Sequence, residues 1–130
     1  MEIIVQKFGG TSVADLERIR NVANIIKAEL GRANKVVAVV SAMAGVTNSL
    51  IAHCNEISKL DDDDKMREYD AAIASGEIVT SSMLALCLQD MGIKAKSLQG
   101  WQVAMKTDSN YGNAEAKFVD NKILNRLLED

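Results

Sequence analysis

The 130-residue sequence contains no proline, where about 5% is usual; this excludes proline-fixed turns and carries no functional message of its own. Large aromatic anchors are scarce: Phe8, Tyr69, Trp101, Tyr111 and Phe118 are the full set. A core must therefore rest on Ile, Val, Leu, Met and Ala, and the default place for Trp101 is inside that core. There are two cysteines and one histidine, with no CxxC pair, which is too few ligands for a zinc site. His53 and Cys54 are neighbours in an apolar helical run, where adjacent side chains point about 100° apart. They read as packing residues and not as a Cys–His nucleophile. Two cysteines without a signal-peptide pattern suggest a reducing compartment, the cytoplasm. No run approaches the roughly 18 apolar residues of a membrane span. The net charge of -3 leaves no basic footprint for nucleic acid. Much of the acidic excess lies in Asp61 to Asp64, four adjacent carboxylates that repel and diverge, as a solvated loop does and a cation site does not.

What is present alternates between two periodicities. Hydrophobic residues make up 48%, the range of a globular protein, and the length suits one domain or a piece of a larger one. Glu2 to Phe8 is a short β-branched run ending in Gly9-Gly10, a strand feeding a tight turn. Leu16, Ile19, Val22, Ala23, Ile26 and Leu30 follow at offsets of 3, 3, 1, 3 and 4, the helical pattern, with Thr11 or Ser12 as N-cap and Gly31 as terminator. Lys35 to Val40 is apolar on both faces, as in a parallel strand covered on both sides. A helix through Leu50, Ile51, Cys54, Ile57 and Leu60 comes next, then the acidic loop.

Met66 to Met91 is helical in character, with two helices or a bend expected at Ser75-Gly76, and Gly92 closes it. Ile93 to Leu98 reads as a weaker third strand, Gly100 to Lys106 as a short strand or hairpin arm, Asp108 to Gly112 as a turn, and Asp120 to Leu128 as a final helix. This alternation predicts an α/β fold, an open and mainly parallel sheet with helices on both faces.

Two turns carry the chemistry. Lys7 to Ser12 and Ser41 to Asn48 each follow a strand, contain glycine and open a helix with hydroxyl residues. Free backbone N–H groups and the positive end of a helix make such a turn an anion site. In an open α/β sheet ligands bind beyond the carboxyl ends of the strands. Lys7 stands at such an end, where a lysine can meet phosphate oxygens while Gly9 and Gly10 let the backbone approach; the local alternative is a strand-end lysine reaching solvent. Neither turn is a Walker A loop, because the lysine precedes the glycines. Locally, Ser41 and Thr47 read as capping residues and Glu77 as a carboxylate favoured near a helix N-terminus.

The whole string Lys7-Phe8-Gly9-Gly10-Thr11-Ser12-Val13 resembles the N-terminal signature of the aspartokinases. Val39 to Asn48 (Val-Val-Ser-Ala-Met-Ala-Gly-Val-Thr-Asn) is similar to that family's second loop. Ser75-Gly76-Glu77 is similar to its third, Leu98-Gln99-Gly100-Trp101-Gln102 to the stretch that follows, and Tyr111-Gly112-Asn113-Ala114 to the next landmark. The first two strings are specific; Ser-Gly-Glu alone is weak.

The resemblance implies a three-layer α/β/α amino-acid kinase (carbamate kinase-like) fold, here incomplete. It also implies transfer of the ATP γ-phosphoryl group to the β-carboxylate of L-aspartate, the first step towards lysine, threonine and methionine. On that resemblance Lys7 stabilises the transferring phosphoryl group. Gly9 and Gly10 offer N–H groups to the phosphates, Ser41 lies near the phosphoryl path, Thr47 and Glu77 hold aspartate, and Glu77 accepts from its α-ammonium. ATP and Mg2+ are the implied cofactors, with no protein metal ligand identified, and the complete enzyme is expected to be a homo-oligomer.

Members of that family are much longer, so residues 1–130 are expected to be the N-terminal portion of the kinase domain. The ATP-holding half and the regulatory domains would be absent and the isolated chain inactive. Two other readings compete: a related acyl-phosphate kinase acting on another amino acid, and a non-catalytic fragment or partner-binding module.

Overall fold

β1 (Ile3–Phe8) and β2 (Lys35–Val40) lie parallel, in register from Ile3 opposite Lys35 to Phe8 opposite Val40. The computed structural model that shows this describes residues 2–129. The molecule divides into two units, one made of Met1–Thr47 and Gly76–Ser97, the other of Asn48–Ser75 and Leu98–Asp130.

In the first unit, α1 (Leu16–Leu30) connects the two strands. Ile19, Val22, Ala23 and Ile26 are all buried, the stripe that three- and four-residue spacing produces. Burying one such branched side chain is worth about 1.5–3 kcal/mol, so packing of this stripe outweighs propensity in setting the helix. The N-cap is Asp15, whose Oδ1 accepts from the Arg18 N–H at 2.9 Å. The expected caps, Thr11 and Ser12, fall instead in a short 3-10 turn, Gly10–Val13. That turn inserts between strand and helix because Val13 is fully buried and pins it to the core. Gly31 does end the helix, donating to the Lys27 carbonyl at 3.0 Å.

The sheet buries one face. Phe8, Val36, Ala38 and Val40 pack against Val13, Ile19, Val22, Ala23 and Ile26. Ile3, Val5 and Val39 are exposed; they alternate with the packed positions along the strands and so occupy the opposite face.

α2 (Val46–Ile57) opens inside the expected Ser41 to Asn48 turn and stops short of the expected Leu60, which takes φ +53. α3 (Asp63–Asp90) is one continuous helix of 28 residues, not two helices or a bend at Ser75-Gly76. Gly76 is buried within it, close against the neighbouring loop, and a Cβ there would stand 2.7 Å from the Ala42 Cβ. Leu84 and Leu88 complete the core cluster, and Thr80 is fully buried, its hydroxyl donating to the Gly76 carbonyl at 3.1 Å. By length and composition α3 would suffice to cross a membrane, against the expectation that no segment approaches that. What identifies it here as a packed helix is the buried face of Gly76, Thr80, Leu84, Ala85 and Leu88.

Gly92, at φ +77, closes α3, with the Ile93 N–H reaching back to the Leu88 carbonyl at 3.0 Å. The segment from Ile93 to Leu98 is not a strand. Ile93 and Ala95 do pack on the core while Lys94 and Lys96 face outward. The period of two is real, but no described strand pairs with it.

In the second unit, the acidic run is split. Asp61 and Asp62 precede α3, and Asp63 and Asp64 form its first turn, where carboxylates suit the helix dipole. The Asp62 Oδ1 accepts from the Lys65 N–H at 2.8 Å, and the Lys65 ammonium pairs with both Asp61 and Asp62. The Lys65 side-chain hydrogen bond holds the Asp61 carboxyl below its usual range, and the bond from the Lys65 backbone does the same for Asp62.

Gly100–Val103 is a 3-10 turn and not a strand. The strand is β3 (Met105–Thr107), paired antiparallel with β4 (Ala116–Val119), which the sequence reading missed. Between them the expected turn forms, the Asp108 carboxylate accepting from the Asn110 and Glu115 N–H groups. α4 (Lys122–Glu129) follows. Trp101 is 68% exposed and not a core residue, and His53 is exposed and not a packing residue.

Candidate functional site

β1 and β2 end side by side, and their ladder runs one step further, the Ser41 N–H donating to the Phe8 carbonyl at 3.2 Å. The two glycine-bearing turns therefore start from one edge of the sheet. In the first, the Ser12 N–H closes on the Gly9 carbonyl at 3.0 Å. A Cβ on Gly9 would meet nothing within 4 Å, so the backbone there is open to a ligand; one on Gly10 would stand 3.4 Å from the Ala42 carbonyl oxygen. In the second, the Val46 N–H closes on the Met43 carbonyl at 3.1 Å, and Gly45 takes φ +81, a left-handed conformation that glycine adopts without strain.

Lys7 is exposed. Alternation along β1 places it on the face of Ile3 and Val5, opposite the core, in register with Val39. Its ammonium forms no hydrogen bond or ion pair with a described residue, which leaves its charge available to an anion. Ser41 is half-buried and lies before α2 without capping it. Thr47 sits in the first turn of α2 and is half-buried. Neither hydroxyl bonds a described group, so the capping readings of both fall away.

Glu77 lies in the interior of α3 and not at its N-terminus, so the dipole explanation of this carboxylate does not apply. Its Oε1 accepts from the Ala42 N–H at 3.2 Å, across 35 residues of sequence. Gly76 explains the approach: a Cβ there would stand 2.7 Å from the Ala42 Cβ and 3.2 Å from the Val46 Cγ1. The Gly-Glu pair is thus a notch and an acceptor fitted to one loop. The motif reading singled out Gly76 but took it for a helix breaker. Ala42, buried at 3% exposure, was missed; a small residue between a hydroxyl and a glycine-rich turn is its only sequence signal.

The structure brings together the backbone that carries Gly10, Ser41, Thr47 and Glu77, and aligns Lys7 beside β2. None of the six predicted side chains or glycines hydrogen-bonds another. The arrangement offers a lysine charge and free backbone at the strand ends, two unbonded hydroxyls, and a carboxylate whose second oxygen is unbonded. Those groups suit a ligand that bears both phosphate and an ammonium. No group of three His, Cys, Asp or Glu among the described residues could hold a metal ion.

Comparison with known proteins shows the family. The model of the amino acid kinase family matches residues 2–130. The chain is 52% identical to the aspartokinase of Rickettsia prowazekii (strain Madrid E) over 129 residues, 99% of this chain and 29% of that protein. It is 43% identical to aspartokinase 2 of Bacillus subtilis (strain 168), covering 99% of this chain and 31% of the relative. It therefore spans about three tenths of the length of the curated relatives it matches. Among solved structures, aspartate kinase from Synechocystis superposes with a TM-score of 0.84 at 36% identity, over 99% of this chain and 20% of that one. The E. coli aspartokinase III structure in complex with aspartate and ADP superposes at 0.76 and 23% identity, over 98% of this chain and 39% of that one, which is likeness of fold.

Proposed function

We infer function from one premise: the chain belongs to the amino acid kinase family. On it we propose that these residues form the part of an aspartokinase that carries the catalytic Lys7 and holds aspartate, the enzyme transferring the γ-phosphoryl group of ATP to the β-carboxylate of L-aspartate. The observation that carries the proposal is the Ala42 N–H bond to Glu77 at 3.2 Å. It stations a carboxylate, with one oxygen unbonded, against a hydroxyl- and glycine-bearing loop at the strand ends. Relatives named aspartokinase at up to 52% identity support the choice of substrate.

The chemistry asks little of acid–base groups. The substrate carboxylate is ionised at neutral pH, so its oxygen attacks the γ-phosphorus directly and ADP leaves with the electron pair of the broken P–O bond. The protein must position the reactants and neutralise charge. In this reading Lys7 stabilises the transferring phosphoryl group, and Gly9 and Gly10 offer backbone N–H groups to the phosphates. Ser41 lies beside the phosphoryl path, Thr47 binds the substrate, and the unbonded oxygen of Glu77 accepts from its α-ammonium.

Mg2+ would accompany the nucleotide phosphates; no described residue is assigned to it. In the same reading the working enzyme is a homo-oligomer, and its compartment is the cytoplasm.

The test is aspartate-dependent ADP formation by the protein at its natural length, beside a Glu77→Gln variant. The variant should raise the KM for aspartate roughly tenfold, as loss of a charged hydrogen-bond partner does, with the KM for ATP unchanged. An unaltered aspartate KM removes Glu77 from the site, and ADP formation indifferent to aspartate refutes the function.

A further inference from the structure

Three contacts meet at one small residue, and a fourth at its neighbour. Ala42 is 3% exposed. Its N–H donates to the Glu77 Oε1 at 3.2 Å, and its carbonyl oxygen lies 3.4 Å from where a Cβ on Gly10 would stand. Its Cβ fills the notch at Gly76, and its neighbour Ser41 is tied through its N–H to the Phe8 carbonyl at 3.2 Å. We propose that Ala42 is a positioning residue. Its methyl, seated in the Gly76 notch, fixes the distance between the Ser41 hydroxyl and the Glu77 carboxylate and holds the second loop against the Gly9-Gly10 turn. This extends the function proposed above and rests on it for its catalytic consequence, but its structural content stands alone.

A Cβ at position 76 would be 2.7 Å from the Ala42 Cβ, where carbon atoms prefer about 3.5–4.0 Å. The backbone of a helix interior cannot yield by that amount, so the loop must. The Ala42 N–H bond, already 3.2 Å long, then stretches past the useful range. Ser41 moves with it, because Ser41 and Ala42 share a peptide plane. Glycine at 76 costs the helix about 1 kcal/mol relative to alanine, and the seating of Ala42 is the physical reason the helix accommodates it.

The prediction is a size swap. In the 15N-labelled chain, Gly76→Ala should speed hydrogen exchange of the residue-42 amide by about tenfold, as expected for one lost hydrogen bond. The pair Ala42→Gly with Gly76→Ala moves the methyl from one side of the contact to the other and should restore most of the protection. In the protein at natural length, Gly76→Ala should lower kcat by about 100-fold, the scale of a 1 Å misplacement, and the double variant should recover most of it.

Unchanged exchange in Gly76→Ala, or a double variant no better than the single one, overturns the proposal. If Gly76→Ala does not fold, Ala42→Gly takes its place: it removes a methyl instead of inserting one, and loss of amide protection at residue 42 is the expected result, unaltered protection the refuting one. Should the unmodified protein form no ADP with aspartate, the functional reading fails by itself, and amide exchange still decides the seating of Ala42.

Discussion

The two units differ most in what they bury. Among the described residues, every buried apolar side chain except Val103 belongs to the first unit, where Val13, Ile19, Val22, Ala23, Ile26, Leu84 and Leu88 form one cluster. The second unit keeps its strands exposed throughout, with Phe118 at 57% and Trp101 at 68% exposure. All six candidate site residues, Lys7, Gly9, Gly10, Ser41, Thr47 and Glu77, lie in the first unit. The candidate site thus stands on the part with a dense core, where close packing limits how far backbone can move. The second unit is held by surface devices instead: the Asp108 turn, the Asp70 carboxylate accepting from the Gly112 N–H at 2.9 Å, and the Lys65 pairs.

Substitutions in the two units test that contrast. The largest effect is expected at Lys7, which packs against nothing in the core yet carries the charge. Lys7→Ala in the protein at natural length should cut phosphoryl transfer by about 1000-fold, the scale of one lost electrostatic stabiliser, with an unchanged circular dichroism melt. Near-normal turnover would remove Lys7 from the mechanism.

Next in size is a pair of truncations measured by urea unfolding. Leu84→Ala, at a site 4% exposed, should lower stability by about 2–5 kcal/mol, whereas Phe118→Ala should change it by no more than about 0.5 kcal/mol. Equal losses would mean that the second unit has a core of its own.

The smallest effect is expected at Lys65. Its hydrogen bonds hold Asp61 and Asp62 below the ordinary carboxylate value of 3.8, and Asp61 chiefly raises Lys65 above its own 10.5. The carboxylates' contribution is present above 3.8 and lost as pH falls through their lowered values. That of Lys65 is complete below 10.5 and lost as pH rises through its raised value. Lys65→Gln should therefore melt slightly below the parent chain at neutral pH and low salt, and the gap should close in strong acid and in high salt. A gap that widens in acid would show that these pairs do not form.

Much of the first unit was legible in advance. The helical spacing of Ile19, Val22 and Ile26 and the apolar run from Lys35 to Val40 located α1 and β2, and the glycine turns after both strands fall, as expected, at one edge of the sheet. The illegible parts share a cause. Asp15 displaced Thr11 and Ser12 as the cap because burial of Val13 created an extra turn. Ile93 to Leu98 has the alternation of a strand but lacks a described partner, and hydrogen-bonded pairing is not encoded in one strand's own residues. β4 is short and wholly exposed, so no hydrophobic pattern announced it.

Gly76 shows where the division falls. Local sequence determined the periodicities, the two strand–turn–helix junctions and the residue types with which an anion could be met, because each depends on neighbours along the chain. Only the tertiary structure decided that Gly76 continues α3, that Ala42 fills the space its missing side chain leaves, and that the Glu77 carboxylate is spent half on a backbone amide 35 residues away. Those outcomes depend on the distance between a helix and a loop, which packing sets and local pattern does not contain.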